Sequence, residues 1–123
     1  MMENVQALQA IGYSQQVAAN NVANVNTSGF HSSRVDFETG PDGRGVRVQD
    51  IHENSSPGPL VPGGEFVETD QAVRFTEMPV EGSNTDLATE MVQMIKNEHA
   101  FAANAAALHT RLDMTGVIIN MMV

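Results

Sequence analysis

The chain has 123 residues, enough for one modest domain with a single core. Six basic and 15 acidic residues give a net charge of −9, and this charge repels nucleic-acid phosphates and anionic lipid, so we expect neither as a partner. The absence of cysteine excludes disulfides and thiolate catalysis.

The N-terminal segment MMENVQALQAIGYSQQ is expected to be helical rather than a secretory leader. It lacks the positively charged start and the continuous apolar run of a cleaved signal peptide. If the protein leaves the cytoplasm, we therefore expect its export route to recognise an uncleaved signal. No apolar stretch approaches the roughly 18 residues that a membrane-spanning helix needs, so membrane insertion is not expected.

This first helical zone, residues 1–26, carries a weak stripe at alternate steps of four and three residues that begins at Met1. It ends in the stretch ANNVANVNTSGF, in which Asn20, Asn21 and Asn24 each cost a helix roughly 0.5 kcal/mol relative to Ala. Two interpretations stay open: the amides fix register against a partner helix or an adjacent subunit, or they only complete the end of one helix.

The residues that follow predict how this helix stops. Asn26, Thr27 and Ser28 favour a turn, and Gly29 can adopt a positive φ that ends a helix. Phe30 then anchors the chain as it leaves the helix.

The middle zone, residues 27–84, contains all five prolines and is predicted to be β-rich. RVDFET and GVRVQDI alternate apolar with polar residues, and GPDGRG between them contains the Asp-Gly of a hairpin turn. A second β region, EFVETDQAVRFTEM, follows SSPGPLVPGG, which we expect to be a loop or extended connector.

The last zone, residues 85–123, predicts a helix of about 35 residues, roughly 50 Å long. Alternate steps of four and three residues from Leu87 meet eleven positions, of which nine are apolar. Ser83 or Asn84 is expected to cap its start. The whole chain is therefore predicted to be α+β: long N- and C-terminal helices pair as a coiled-coil-like core, and a small β unit is inserted between them.

Other candidate sites are weaker. His31, His52, His99 and His109 lack the spacing of a metal site, and on one helix the last two would be about 15 Å apart. GPDGRG lacks the setting of a phosphate-binding loop, and the acidic residues of the middle zone lack calcium-loop spacing. We expect no metal, no cofactor and no enzymatic activity.

The two ends carry a resemblance to a known family. ANNVANVNTSGF followed by RVDF resembles the N-terminal signature of the bacterial flagellar rod and hook family. SNTDLATEMVQMIKNEHAFAANAAALHTRLDMTGVIIN resembles the C-terminal signature of the same family. The short middle zone is most similar to that of the proximal rod proteins.

The resemblance implies an axial structural protein that the flagellar type III export apparatus secretes without a cleaved signal. Such a subunit stacks helically with copies of itself and with other rod and hook proteins in the basal body, and its terminal helices form the inner tube. Two alternatives stay open: a helical adaptor that never polymerises, and a distal rod or hook-type protein with a reduced middle. The expected assembly residues are Asn20, Asn21, Asn24, Asn26, Thr27, Gly29, Phe30, Leu87, Met91, Met94, Phe101, Asn104, Leu108, Leu112 and Ile119.

Overall fold

The computed structural model describes residues 2–122, so Met1 and Val123, which the predicted helical zones include, lie outside the described residues. It confirms the predicted α+β fold, with two long terminal helices and antiparallel β structure between them. In chain order the elements are α1 (Met2–Ala23), β1 (Ser33–Thr39), β2 (Val46–Glu53), β3 (Leu60–Thr69), β4 (Ala72–Glu81) and α2 (Leu87–Met122).

The two helices pack against each other in antiparallel orientation. Ser14 of α1 contacts Asn97 of α2, while Glu3, one end of α1, pairs with Arg111 far along α2 at 3.6 Å. The buried side of α1 is formed by small and polar residues, Ala10, Ser14, Ala18 and Asn21. Small side chains allow the two backbones to approach closely, so this pairing depends on polar contacts more than on a large apolar core.

The face that α2 turns towards α1 differs from the predicted apolar stripe. The buried residues of α2 are Glu90 and Asn97, at 6% and 5% exposure, and Asn104 and Arg111 continue the same seven-residue spacing. The stripe residues Leu87, Met91, Phe101, Leu112 and Ile119 are instead 45% to 56% exposed. The expectation that this stripe forms the seam between α1 and α2 is therefore wrong for most of its length.

The physical reason is the amide of Asn97. Its Nδ2 donates to Ser14 Oγ at 3.0 Å and to Gln15 Oε1 at 3.2 Å, and its Oδ1 accepts from Gln93 Nε2 at 3.0 Å. A buried amide without partners would cost about 1–3 kcal/mol. Satisfying it places Asn97 in the seam, and the apolar stripe, whose Phe101 follows four residues later and about 40° further round the helix, lies beside the seam and is partly exposed.

The predicted hairpin is confirmed by β1 and β2, which pair antiparallel with Gln49 as an extra residue in a β-bulge. At its tip Asp42 and Gly43 both have positive φ, 60° and 70°, which the Asp-Gly pair predicts. A Cβ on Gly45 would come within 2.6 Å of Gln6 Oε1, so the tip lies directly on the first turns of α1.

The second β region forms a separate ribbon of β3 and β4, joined by a two-residue turn at residues 70–71. The prediction that residues 55–64 form a connector is wrong in its second half, because β3 begins at Leu60. Pro62 lies opposite Pro79, and a two-stranded ribbon tolerates proline since both strands are edges. The side chains of Val80 and Phe75 cover Gly63 and Gly64. The middle zone thus contains two ribbons rather than one β unit.

The cap of α2 also differs from the prediction. Asp86, rather than Ser83 or Asn84, caps the helix: its Oδ1 accepts from the backbone N–H of Ala88 at 3.1 Å, and its Oδ2 accepts from Thr89 Oγ1 at 3.0 Å. Ser83 Oγ instead accepts from the N–H of Thr85 at 3.1 Å, in the turn that leads into the helix.

Beyond the pair of Arg111 with Glu3, α2 continues for residues 112–122, all of which are exposed. We call this segment the tail. No helix among residues 2–122 combines the length and hydropathy that crossing a membrane requires.

We expect amide hydrogens of the tail to exchange fast in the isolated protein, while those of residues 90–108 exchange slowly. An unsupported helix of about 11 residues is marginal in water, whereas the segment opposite α1 is held by side-chain contacts. Hydrogen exchange followed by mass spectrometry measures both segments in one sample. Equal protection of the two would contradict this expectation.

Candidate functional site: the junction and the outward helix face

One side chain, Asn84, joins three segments where the helices meet the ribbons. Its Oδ1 accepts from the N–H of Ser32 at 2.6 Å, and its Nδ2 donates to the C=O groups of Asn54 and Ser56, each at 2.8 Å. Its own N–H donates to the C=O of Phe30 at 3.1 Å. Asn84 thus replaces the backbone partners that these loop segments would have in a sheet.

The buried side chain of Asn21 also bonds to backbone groups. It is 1% exposed, its Nδ2 donates to the C=O of Ser33 at 2.7 Å, and its Oδ1 accepts from the N–H of Ser33 at 3.0 Å. Both functions of its amide are therefore used within the subunit, whereas the side chain of Asn20 is exposed. It attaches the start of β1 to the end of α1.

The other asparagines complete the end of α1. Asn24 Nδ2 donates to the C=O of Asn20 at 2.8 Å, and Asn24 Oδ1 accepts from Thr27 Oγ1 at 3.1 Å. Gly29 has the predicted positive φ, 73°, and its N–H donates to the C=O of Glu81 at 2.7 Å. Asn26 is exposed and Phe30 is half-buried. Of the two interpretations of these amides, local bonding accounts for Asn20 and Asn24 in the single subunit.

A hydrogen-bonded carboxylate lies beside this junction. Glu81 Oε1 accepts from the N–H of Gly58 at 2.9 Å and from His31 Nε2 at 3.2 Å, and His31 Nδ1 lies 3.7 Å from Glu53 Oε1. The hydrogen bond from Gly58, with a smaller contribution from His31, holds the pKa of Glu81 below its ordinary value. Glu81 therefore connects the last residue of β4 to the loop before β3.

The outward side of the helix pair carries an apolar groove of about 530 Å³. Its lining residues are Ile11, Gly12, Gln15, Gln16, Ala19, Asn97, Glu98, Phe101 and Ala102. A Cβ added at Gly12 would meet no neighbouring atom within 4 Å, so the groove is open at this residue. The groove is thus a surface that an apolar helix could occupy.

The predicted stripe of α2 lies partly in this groove and continues into the tail. Of the predicted residues, Met94, Asn104 and Leu108 are half-buried, and the Asn104 amide donates to the C=O of Ala100 at 2.8 Å. In the tail, Met114, Val117 and Ile118 are exposed alongside Leu112 and Ile119. Exposed apolar side chains in this number are typical of a surface that another molecule covers.

The remaining titratable groups are dispersed. His52 pairs with Asp36 and lies 3.6 Å from Asp50, while His109 Nδ1 lies 3.1 Å from Asp113 on the tail. Glu3 has a lowered pKa, chiefly because it accepts a hydrogen bond from its own backbone N–H. Among the side chains that the structure describes, no three of His, Asp and Glu are grouped as a metal site would need.

Replacing Asn84 with Ala should lower the free energy of unfolding by about 2 kcal/mol, because it removes three hydrogen bonds to backbone groups at about 0.5–1.5 kcal/mol each. Urea denaturation of the two proteins measures the loss. Asn54→Ala is the matched control, since it removes one exposed bond to Ser56. A loss no larger than that of the control would refute the assigned role of Asn84.

Acid should remove the stabilising effect of Glu81. Because the pKa of Glu81 is lowered in the folded state, its contribution is present above the pKa of an ordinary glutamate and is lost as the pH falls through the folded value. The stability difference between the wild type and Glu81→Gln should therefore shrink roughly from pH 5 to pH 3. Thermal melts at a series of pH values test this, with Glu68→Gln on the exposed ribbon as the control. A difference that grows in acid would be inconsistent with this contact.

Models of known protein families match both helical ends of the chain. The family model "Flagella basal body rod protein" matches residues 4–31, which cover most of α1 and its asparagine-rich end. The model "Flagellar basal body rod FlgEFG protein C-terminal" matches residues 80–121, from the junction through α2. No curated protein matches the chain.

The two matched segments are 28 and 42 residues long, so 70 of the 123 residues, more than half of the chain, are covered. They lie in the order predicted from the terminal signatures, one at each end. They also contain Asn21, Asn84 and the outward face of α2, which are the features that build the junction and the groove. The chain belongs to the flagellar basal body rod protein family.

Proposed function

We propose that the protein is a non-enzymatic axial subunit of the flagellar rod, which assembles helically with copies of itself and with related rod and hook proteins. In this proposal residues 1–26 and 85–123 form the axial core, and residues 27–84 form the outer β-rich region. The short middle zone supports a position in the proximal rod. Export through the flagellar type III apparatus without a cleaved signal is part of the same proposal, and the family membership supports it.

The observation that carries the proposal is the outward apolar face of α2. Leu87, Met91, Phe101, Leu112 and Ile119 are each about half exposed, although their spacing is that of a packed helix seam. Burying this surface is favourable by about 25 cal/mol per Å² of apolar area. A neighbouring helix supplies the cover that the subunit lacks.

The arrangement also favours a filament over a closed dimer. The groove lies beside Phe101, whereas the tail begins at Leu112, so the tail and the groove are different patches of one chain. Contacts between different patches are heterologous, and they propagate a helix when the rotation does not close a ring. Torque would then be shared by many equivalent contacts, and no single residue would transmit it.

The experiment is the double variant Leu112→Asp with Ile119→Asp. Both side chains are exposed in the single subunit, so the variant should fold and be exported normally while its assembly into basal bodies and cell motility are lost. Leu108 is less suitable because it is half-buried in the single subunit. Purified basal bodies, immunoblotted for the chain, give the readout.

The control is Thr110→Asp, which adds one aspartate, against two in the double variant, on the opposite face of α2, about 180° from Ile119. It should assemble and support motility. Motility of the double variant equal to that of the control would reject the axial function and favour the adaptor that never polymerises.

A further inference from the structure

The second ribbon, formed by β3 and β4, has little cover from the rest of the subunit. β1 and β2 pack on α1, whereas the main contacts of β3 and β4 are with each other. The ribbon is attached at its base, where the N–H of Gly82 donates to the C=O of Pro59 and the C=O of Glu81 accepts from the N–H of Gly29, each at 2.7 Å. A hairpin of two strands without a packed layer is only marginally stable in water, so this ribbon lacks the layer that a stable sheet needs.

One face of this ribbon is apolar. Residues that lie opposite each other in an antiparallel pair point to the same face, and Phe66 lies opposite Phe75. The two rings form an edge-to-face contact with their centroids 5.3 Å apart, yet Phe66 is 73% and Phe75 54% exposed. An open cavity of about 630 Å³ lies beside Phe75. We call this surface the ribbon face, and its apolar residues are Leu60, Pro62, Phe66, Val73, Phe75 and Pro79.

The ribbon face also carries unpaired negative charge. Glu77 lines the cavity beside Phe75, and Glu68 lies opposite Val73 near the turn. Among the side chains that the structure describes, neither carboxylate takes part in a hydrogen bond or ion pair. Residues 60–81 contain five acidic residues and one basic residue, a net charge of −4. The surface that complements this face is therefore apolar and bordered by lysine or arginine.

A second copy of the chain does not supply such a surface. Its net charge is −9, so two ribbons repel each other. Of its six basic residues, Arg47 already pairs with Glu38 and Arg111 with Glu3. The other four lie on different segments of the chain and form no basic patch: Arg34 on β1, Arg44 at the hairpin tip, Arg74 on β4 and Lys96 on α2.

We propose that the ribbon face docks a protein other than this chain, through a contact surface that is apolar and bordered by lysine or arginine. The inference goes beyond the proposed axial function, because the ribbon lies outside the helix pair that would form the axial core. The chain then has two contact surfaces of different chemistry. The weakly charged face of α2 serves assembly, and the acidic ribbon face selects a basic partner.

Amide hydrogen exchange on the purified full chain tests whether the ribbon lacks cover. Amides of residues 61–80 should exchange at least about tenfold faster than those of β1 and β2, because only the first ribbon is packed on a helix. Equal protection of the two ribbons would overturn the inference, since the second ribbon would then be stable without a partner.

A photo-crosslinker tests the identity of the occupant. With p-benzoylphenylalanine in place of Phe66 in the full chain, illumination of flagellated cells should yield adducts with a different protein, at a segment that contains lysine or arginine. The matched control carries the crosslinker at Thr76, which is exposed on the opposite face of the ribbon and should yield at least about fivefold fewer such adducts. Adducts from position 66 that join only copies of this chain would refute the proposal.

The substitution Glu77→Lys tests the charge of the partner. It should reduce the adducts from position 66 at least about tenfold, because it places like charges across the interface. The melting temperature of the purified chain should not change, since Glu77 is exposed. Asp50→Lys on β2 alters the net charge by the same amount and should leave the adduct yield within about twofold of that of the unsubstituted chain. A yield with Glu77→Lys as high as that with Asp50→Lys would overturn the inference.

Discussion

The buried amide of Asn97 constrains the rest of the structure. Its bonds to Ser14 and Gln15 are the polar contacts at the centre of the helix pair, and they leave α2 with one rotation about its axis. Rotating α2 about its axis so that Phe101 faced α1 would bury more apolar area. It would also leave the Asn97 amide without hydrogen-bond partners, at a cost of about 1–3 kcal/mol. The subunit therefore keeps a polar seam inside and an apolar surface outside, the reverse of an ordinary globular helix pair.

The same chemistry recurs where the helices meet the ribbons. Asn21 and Asn84 use side-chain amides as substitutes for peptide groups, and each satisfies backbone atoms that have no strand beside them. A change of either amide to a carboxylate would keep the acceptor and lose the donor. Polar bonds are directional, so they hold the ribbons at a defined orientation with little apolar burial. Among the side chains that the structure describes, Ala10 and Ala18 are the only buried hydrophobic residues, which explains why directional bonds matter here.

Much of the fold follows from patterns within single elements. The two helices, the hairpin with its Asp-Gly turn and the positive φ of Gly29 are local properties, and the sequence predicts them. The rotation of α2 about its axis is not a local property. The helix carries an apolar stripe and a polar stripe, either of which could face α1, and periodicity alone does not choose between them. The useful signal was the polar spacing of Glu90, Asn97, Asn104 and Arg111, which repeats every seven residues. The role of Asn84 depends on loops from three parts of the chain, and no pattern along the chain connects them.

The distribution of charge along the chain is compatible with the filament that we propose, although the net charge is −9. Acidic residues dominate the β-rich middle, including Glu53, Glu68, Asp70 and Glu77, while the tail from Leu112 to Met122 contains the single acid Asp113. Electrostatic repulsion between neighbouring subunits would therefore arise mainly between the ribbons, where salt and water screen it. The apolar contact of the helices would be little affected. In the proposed filament the face of α2 governs self-association, and the acidic ribbons disfavour the joining of subunits through their open strand edges.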